Sequence, residues 1–288
     1  MNPQHLPHGH FAELRRPRDL HADFAGLWAL GSTAALRLPC VAVVGTRAAS
    51  SYGRRNARRI AYELTTAGCC VISGLALGID TAAHEGALDA GLATIGVLGG
   101  GHAHFFPKHN RELAARMIAA GGAVLSPFAP DCVPRPGQFL QRNGVVAALA
   151  DAVVVIEAPL RSGALNTATW AAHRIPVLAL PGDVERRQSE GCHSLLRDGA
   201  TLIRSAADVL ELLGLAPAPA SHIDDRPNDA TLSALARATL RALHEGERDF
   251  DSLVHATRAQ PHELLATLCE LELNGQITAI PGNSWAKL

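Results

Sequence analysis

The sequence predicts an α/β fold: a Rossmann-like, doubly wound parallel sheet followed by a C-terminal winged-helix domain. Three observations carry this. From Cys40 onward, short apolar runs that do not alternate with polar residues are each followed by a stretch of helical periodicity, the pattern of a parallel sheet covered on both faces. After Leu215 comes APAPASHIDDRPNDA, rich in Pro and Ala, then polar, and without periodicity. The tail then shows three helical patterns and a hairpin within its last stretch, the order of elements in a winged helix.

Taken in order, residues 1–39 read as an N-terminal extension, irregular or partly helical, with no assigned function. Residues 40–214 form the Rossmann-like domain. Its strand candidates are CVAVVG (40–45), CVISG (70–74), TIGVLGG (94–100), AVLS (123–126), AVVVIEA (152–158) and VLAL (177–180), separated by helical patterns near 53–67, 80–90, 110–120, 138–150 and 165–173. Residues 215–228 are a linker. Residues 229–288 form the winged helix, from LSALARATLRAL, FDSLVHAT, PHELLATLCELELNG and the hairpin QITAIPGNSWAKL with its PGN turn. We find no internal repeat.

Composition narrows the functional classes. The chain has 288 residues, 48% apolar and 18% charged, and no apolar run approaches the ~18 residues that span a bilayer, so no membrane association is expected. The N-terminus lacks the apolar core and cleavage site of an export signal, which predicts a cytoplasmic protein. Six cysteines without a C-x-x-C pair argue against a disulfide framework and against a structural metal. Net charge divides unevenly: +1 over 1–39, +2 over 40–213 and −4 over 222–288. Of 26 basic residues only Lys108 and Lys287 are lysine, so an anion site here would be built mainly from guanidinium forks.

The strand-to-loop junctions hold the residues suited to such a site. VVGTRAASSYG puts Gly45 and Arg47 where a strand ends and a helix begins, an arrangement for phosphate or for a tight turn with a solvated arginine. In ISGLALGIDTAAHEGAL, Ser73 and Gly74 can approach a ligand and Asp80 stands at a helix N-cap. Asp80 and His84, four apart on one helix face, read as structural rather than as a catalytic or metal pair. GVLGGGHAHFFPKHNREL carries His102, His104 and His109 in a Gly-rich polar loop, then Lys108, Asn110 as an N-cap, and Arg111. After the fifth strand, Ser162, Gly163 and Thr167 again open a helix. A nucleophilic Ser162 would need a positioned base, and G-x-S-x-G is absent, so covalent catalysis has little support.

In this order the motifs resemble the DNA-processing protein A (DprA, or Smf) family. The matching elements are VVGTR, SGLALGIDTAAHEGAL, VLGGG with FPKHNREL, LSP, FLQRN, VVVIEAPLRSGALNTATWA, VLALPGD and EGCHSLLRDGA, from about 40 to 205. The resemblance implies a dimeric single-stranded DNA binder that loads the RecA recombinase during natural transformation, with no cofactor and no catalytic residue. Arg47 would match the family's Gly-Ser-Arg arginine, and Phe139, Arg142 and Asn143 its F-x-x-R-N-R segment. Several positions depart: Gly144 replaces the second arginine, Thr46 the serine, Pro127 a glutamate and His193 an asparagine. Losing the second arginine should weaken binding or shift it onto Arg135 and Arg161, and the family's helical N-terminal domain is missing or shortened.

The residues and the resemblance imply one interface: phosphates on Gly45, Arg47, Ser73, Gly74, Lys108, Asn110, Arg111, Arg142, Asn143, Ser162, Gly163 and Thr167, with Phe139 stacking on a base. Two alternatives stand beside it. A nucleotide hydrolase of the LOG type needs a glutamate three residues after Thr167, but that position is Trp170, which has no ionisable group near neutrality. Glu157 reads instead as an acceptor at a helix N-terminus. A winged-helix transcription regulator would present PHELLATLCELELNG to DNA, yet that helix carries Glu263, Glu270 and Glu272 and no Arg or Lys.

Overall fold

The computed structural model describes residues 2–7, 9–10, 26–172, 174–216, 232–243, 248–273, 276–280 and 282–287. The chain divides into two compact units, Met1–Ser221 and His222–Leu288. The expected linker lies, beyond its first two residues, outside the described residues.

The first unit is built on one sheet. Its strands are β1 (Gln4–Pro7), β2 (Gly26–Gly31), β3 (Cys40–Val44), β4 (Cys70–Ser73), β5 (Thr94–Val97), β6 (Ala123–Ser126), β7 (Ala152–Val155), β8 (Val177–Ala179) and β9 (Thr201–Leu202). They lie in the order β1-β2-β6-β5-β4-β3-β7-β8-β9. From β6 to β9 every pairing is parallel. The helices are α1 (Ser51–Thr66), α2 (Ile79–Asp89), α3 (Arg111–Ala119), α4 (Pro136–Ala148), α5 (Gly163–Ala171), α6 (Glu190–Arg197) and α7 (Ala206–Leu212).

Two apolar layers explain the continuous runs. Successive side chains of a strand point to opposite faces. Cys40, Ala42 and Val44 of β3 pack with Val145, Val146, Ala164 and Ala168 of α4 and α5. The intervening Val41 and Val43 pack with Ile60, Leu64, Ile79 and Ala83 of α1 and α2. A strand buried on both faces has no polar position to alternate with. The six cysteines are free thiols; burial pushes Cys69 up to about 11 and Cys192 to about 12, so both are inert as nucleophiles at neutral pH.

The described part of residues 1–39 holds a short helical turn at Ala34–Arg37, as expected, and also two strands that the sequence did not announce. β2 pairs antiparallel with β6 and β1 with β2, extending the sheet by two strands. Leu27 is fully buried and Ala29 nearly so. GLWALG becomes a strand through β1 on one side and, on the other, the open edge of β6, about a hundred residues on. Residues 190–213 form α6, β9 and α7, with Ile203, Val209 and Leu210 buried against the sheet. Among the described residues no helix is long and apolar enough to cross a membrane.

The second unit packs α8 (Ala234–Leu243), α9 (Phe250–Thr257) and α10 (Pro261–Leu273) against a small sheet of β10 (Arg248–Asp249), β11 (Ile277–Ile280) and β12 (Ser284–Lys287). Leu240, Leu253, Leu264, Leu268, Ile277 and Trp285 form its core. The hairpin register pairs Ile277 with Lys287 and Ile280 with Ser284, and β10 adds a short third strand. Asp249 caps α9 by accepting from the Ser252 amide at 2.9 Å. Glu263, Glu270 and Glu272 lie on the exposed face of α10.

Candidate functional site

The strand order reverses between β3 and β7: β4, β5 and β6 step away on one side, β8 and β9 on the other. Loops leaving the two strands therefore part, and a crevice opens at their carboxyl ends. A cleft of about 620 Å³ lies there, lined among others by Gly45, Arg47, Gly74, Phe139, Arg142, Asn143, Ser162, Gly163 and Thr167. Those residues, scattered over more than a hundred positions, are thus brought together as expected.

The loop after β3 is held from beneath. Thr46 N–H donates to the Glu157 carbonyl at 2.7 Å. The buried Glu157 carboxylate accepts from the Ser50 amide at 2.9 Å and from the Ser50 hydroxyl. Glu157 therefore anchors the start of α1, the structural acceptor that its sequence context indicates. Arg47 stands exposed on this loop, its Cζ 5.6 Å from the centre of the Phe139 ring.

The floor of the cleft is polar and closed. Arg142 is only 5% exposed; its Nε donates to Asn143 Oδ1 at 3.1 Å and its Nη1 to Val97 O at 2.6 Å and to Gly74 O. Asp80 Oδ2 accepts from the Gly74 and Ala76 amides at 3.1 and 3.2 Å. Burial raises the Asp80 carboxyl above the usual range while Arg142 opposes the rise. Burial lowers Arg142 to about 10, with Asp80 working against that shift. A side chain at Gly74 has no room: a Cβ would stand 2.6 Å from Arg142 Cζ and 2.7 Å from Asp80 Oδ2. On the far wall Ser162 caps α5, accepting from Ala164 N–H at 3.2 Å, and Asn143 Nδ2 donates to Gly163 O at 3.0 Å, tying α4 to the start of α5.

Several expected contacts are corrected. Ser73 is fully buried and donates to Val43 O at 2.7 Å, so it braces β4 against β3 and cannot meet a ligand. Asn110 does stand before α3, but its amide turns inward to Leu75 O, Ala76 O and Thr81 Oγ1 and pins the 75–81 turn. Lys108 and Arg111 are exposed outside the cleft lining, Arg111 resting over Phe105. Arg142 is an internal brace rather than an open fork. Asp80 lies inside the first turn of α2, where Gly78 is the N-cap. Asp80 and His84 hydrogen-bond to other groups, Asp80 to the Gly74 amide and His84 Nδ1 lying 2.9 Å from Thr94 Oγ1.

Two more side chains line the cleft: Phe106, which the sequence analysis misses, and Arg161, named there as a place onto which binding could shift. Phe106 is 50% exposed beside Phe139, ring centres 6.0 Å apart, and Arg161 is exposed next to Ser162. The tandem FF was the available signal, since a loop does not readily bury two adjacent aromatics: Phe105 is buried and Phe106 is left open. The departures at Gly144 and Trp170 prove to be one contact: a Cβ at Gly144 would lie 3.1 Å from the Trp170 ring, so α4 and α5 close over the place of the absent arginine. Among the described residues no group of three His, Cys, Asp or Glu is arranged to hold a metal.

Residues 14–214 match the family described as DNA recombination-mediator protein A, and 223–283 match the DprA winged helix domain. A putative DNA processing protein DprA of Mycobacterium tuberculosis is 41% identical over 262 residues, 86% of this chain and 65% of the relative, so the chain spans just under two thirds of that protein's length. Protein Smf of Escherichia coli K12 is 38% identical over 271 residues, 90% of this chain and 71% of the relative. The structure of DNA processing protein A from Streptococcus pneumoniae superposes with TM-score 0.62 at 38% identity, covering 67% of this chain and 68% of that one. That of DNA processing protein A from Helicobacter pylori, described for its unique single-stranded DNA binding mode, gives TM-score 0.63 at 30% identity, covering 74% and 98%.

Proposed function

The chain belongs to the DNA recombination-mediator protein A (DprA/Smf) family, and from that premise we propose that it binds single-stranded DNA without sequence preference, protects incoming strands and loads RecA recombinase on them in transformation and recombination. The observation that carries the proposal is the cleft at the strand-order reversal, with exposed Arg47 and Arg161 on its rim, the N-terminus of α5 open to it, and aromatic rings between them. Guanidinium forks and helix amides address phosphate, and rings address the faces of any base, so neither reads sequence. The described single-stranded DNA binding of the Helicobacter relative supports the same reading. A cytoplasmic site of action goes with it.

We assign the cleft no bond-breaking step. Asp80, the carboxylate in its lining, is tied to two backbone amides and faces Arg142, and Trp170 packs on Gly144 where a LOG-type enzyme needs a glutamate. The winged helix suits protein docking better than operator binding, because α10 presents three glutamates to solvent.

Gel shifts with single- and double-stranded DNA of one length test the proposal, followed by addition of RecA to the coated strand. Preference for the single strand and faster RecA filament formation are expected; equal affinity for duplex, or none for either, overturns it. Arg47→Ala should weaken binding to every sequence and flatten the salt dependence by about 0.7 in log–log slope for one lost phosphate contact.

We further propose an isologous homodimer through 190–213. β9 is an edge strand of the sheet, and Leu202 on it and Leu212 at the end of α7 remain exposed, although Ile203 and Leu210 serve the chain's own core. Light scattering at micromolar concentration should give twice the monomer mass; a monomer there removes the dimer.

A further inference from the structure

We infer that Phe106, rather than Phe139, is the ring on which a base of bound DNA stacks, and that Phe139 is a positioning residue that holds Arg47; this rests on the single-strand reading above. The Phe139 ring is already occupied. One edge packs on the backbone at Gly99, where a Cβ would stand 2.8 Å from Cε1. Arg47 Cζ lies 5.6 Å from the ring centre and Arg142 Cζ 5.9 Å, and Phe106 meets the ring edge-on at an interplanar angle of 66°. A cation within about 6 Å of a ring is attracted by its π-face. Phe139 therefore gives the exposed Arg47 side chain a seat, backed by the buried Arg142 that stays in place through its carbonyl partners.

Phe106 has the opposite character. It lines the same cleft on the loop after β5, half of it is open to solvent, and Leu140, 52% exposed, lines the cleft beside it. An exposed phenyl ring on the rim of an arginine-lined cleft costs hydration and is repaid when a flat apolar surface covers it. The edge-on contact with Phe139 uses little of it. With Arg47 taking the phosphate, a nucleobase is the flat group that arrives with that phosphate.

The test uses the full chain with two single strands of equal length: oligothymidylate, and the same sugar-phosphate backbone without bases. Phe106→Ala should weaken oligothymidylate binding about ten-fold, leave its salt slope unchanged and leave the abasic strand unaffected. Phe106→Leu, which keeps bulk without a π-face, should lose as much, and Phe106→Trp should retain affinity. Phe139→Ala, and Phe139→Leu which keeps the packing on Gly99, should weaken both strands by one factor and flatten the slope by about 0.7. Full affinity in Phe106→Ala, an equal loss on both strands, or a base-dependent loss in the Phe139 variants overturns this inference while the single-strand reading stands. A wild-type chain that binds neither strand overturns both.

Discussion

Arg142→Met should cost the first unit about 3–5 kcal/mol, the loss typical of removing one partner from a buried charged network. Four groups lose their donor or counter-charge at once: Val97 O, Gly74 O, Asn143 Oδ1 and the Asp80 carboxylate. Val97 O and Gly74 O are carbonyls at the ends of adjacent strands, with Arg142 Nη1 reaching both. Asp80 is 5% exposed and is left facing neutral donors such as the Gly74 and Ala76 amides, too little to hold a carboxylate away from water. Arg142→Lys should recover little, since one ammonium cannot reproduce a planar fork over two carbonyls and an amide oxygen. Pairing Arg142→Met with Asp80→Asn should restore part of the loss by removing the stranded charge. Urea unfolding checks this; a loss below about 1 kcal/mol would mean that the guanidinium is dispensable to the floor.

Acid should expose the second large effect. The Thr94 hydroxyl donates to Val71 O at 2.7 Å, so its lone pair accepts from His84 Nδ1–H at 2.9 Å, which leaves Nε2 as the bare nitrogen. Nε2 is buried without a hydrogen-bond partner. A proton there would place a charge in an apolar site near Arg142; burial first and that guanidinium second hold the imidazole down to about 3. Above the ordinary histidine value, near 6.5, both folded and unfolded chains carry neutral His84 and nothing is at stake. Below it the unfolded chain takes a proton that the folded chain refuses, so stability is lost as pH falls from about 6.5 toward 3, by about 1.4 kcal/mol per pH unit. His84→Asn, whose amide can still donate toward Thr94, should lower stability modestly at pH 7 but flatten the decline by one proton. Parallel pH profiles for the two proteins would refute the assignment.

How far the sequence reaches depends on where an element finds its partner. Strands β3 to β8 and helices α1 to α5 are legible because a strand buried on both faces and an amphipathic helix write their burial into consecutive residues. β1 and β2 are not, since GLWALG and QHLP become strands only by pairing with β6 and with each other. β10 and β9, two residues each, have no periodicity to show. Within the cleft, Gly45, Arg47, Gly163 and Ser162 are legible because a glycine or a cap at a strand's end has a local meaning. Ser73, Asn110 and Arg142 look equally open in the sequence, yet a distant carbonyl claims each side chain.

The sequence by itself thus determines the parallel α/β class, the winged helix, the positions of the strand-to-helix junctions and the kind of ligand they suit, because these follow from periodicity and from what glycine, serine and arginine do at an element's end. Only the tertiary structure decides which of those polar groups remain free to meet that ligand. A buried donor or acceptor must be paired, and its partner is chosen by proximity in space: Arg142 is spent on Gly74 and Val97, while of the tandem rings at 105–106 it is Phe106 that is left facing the cleft.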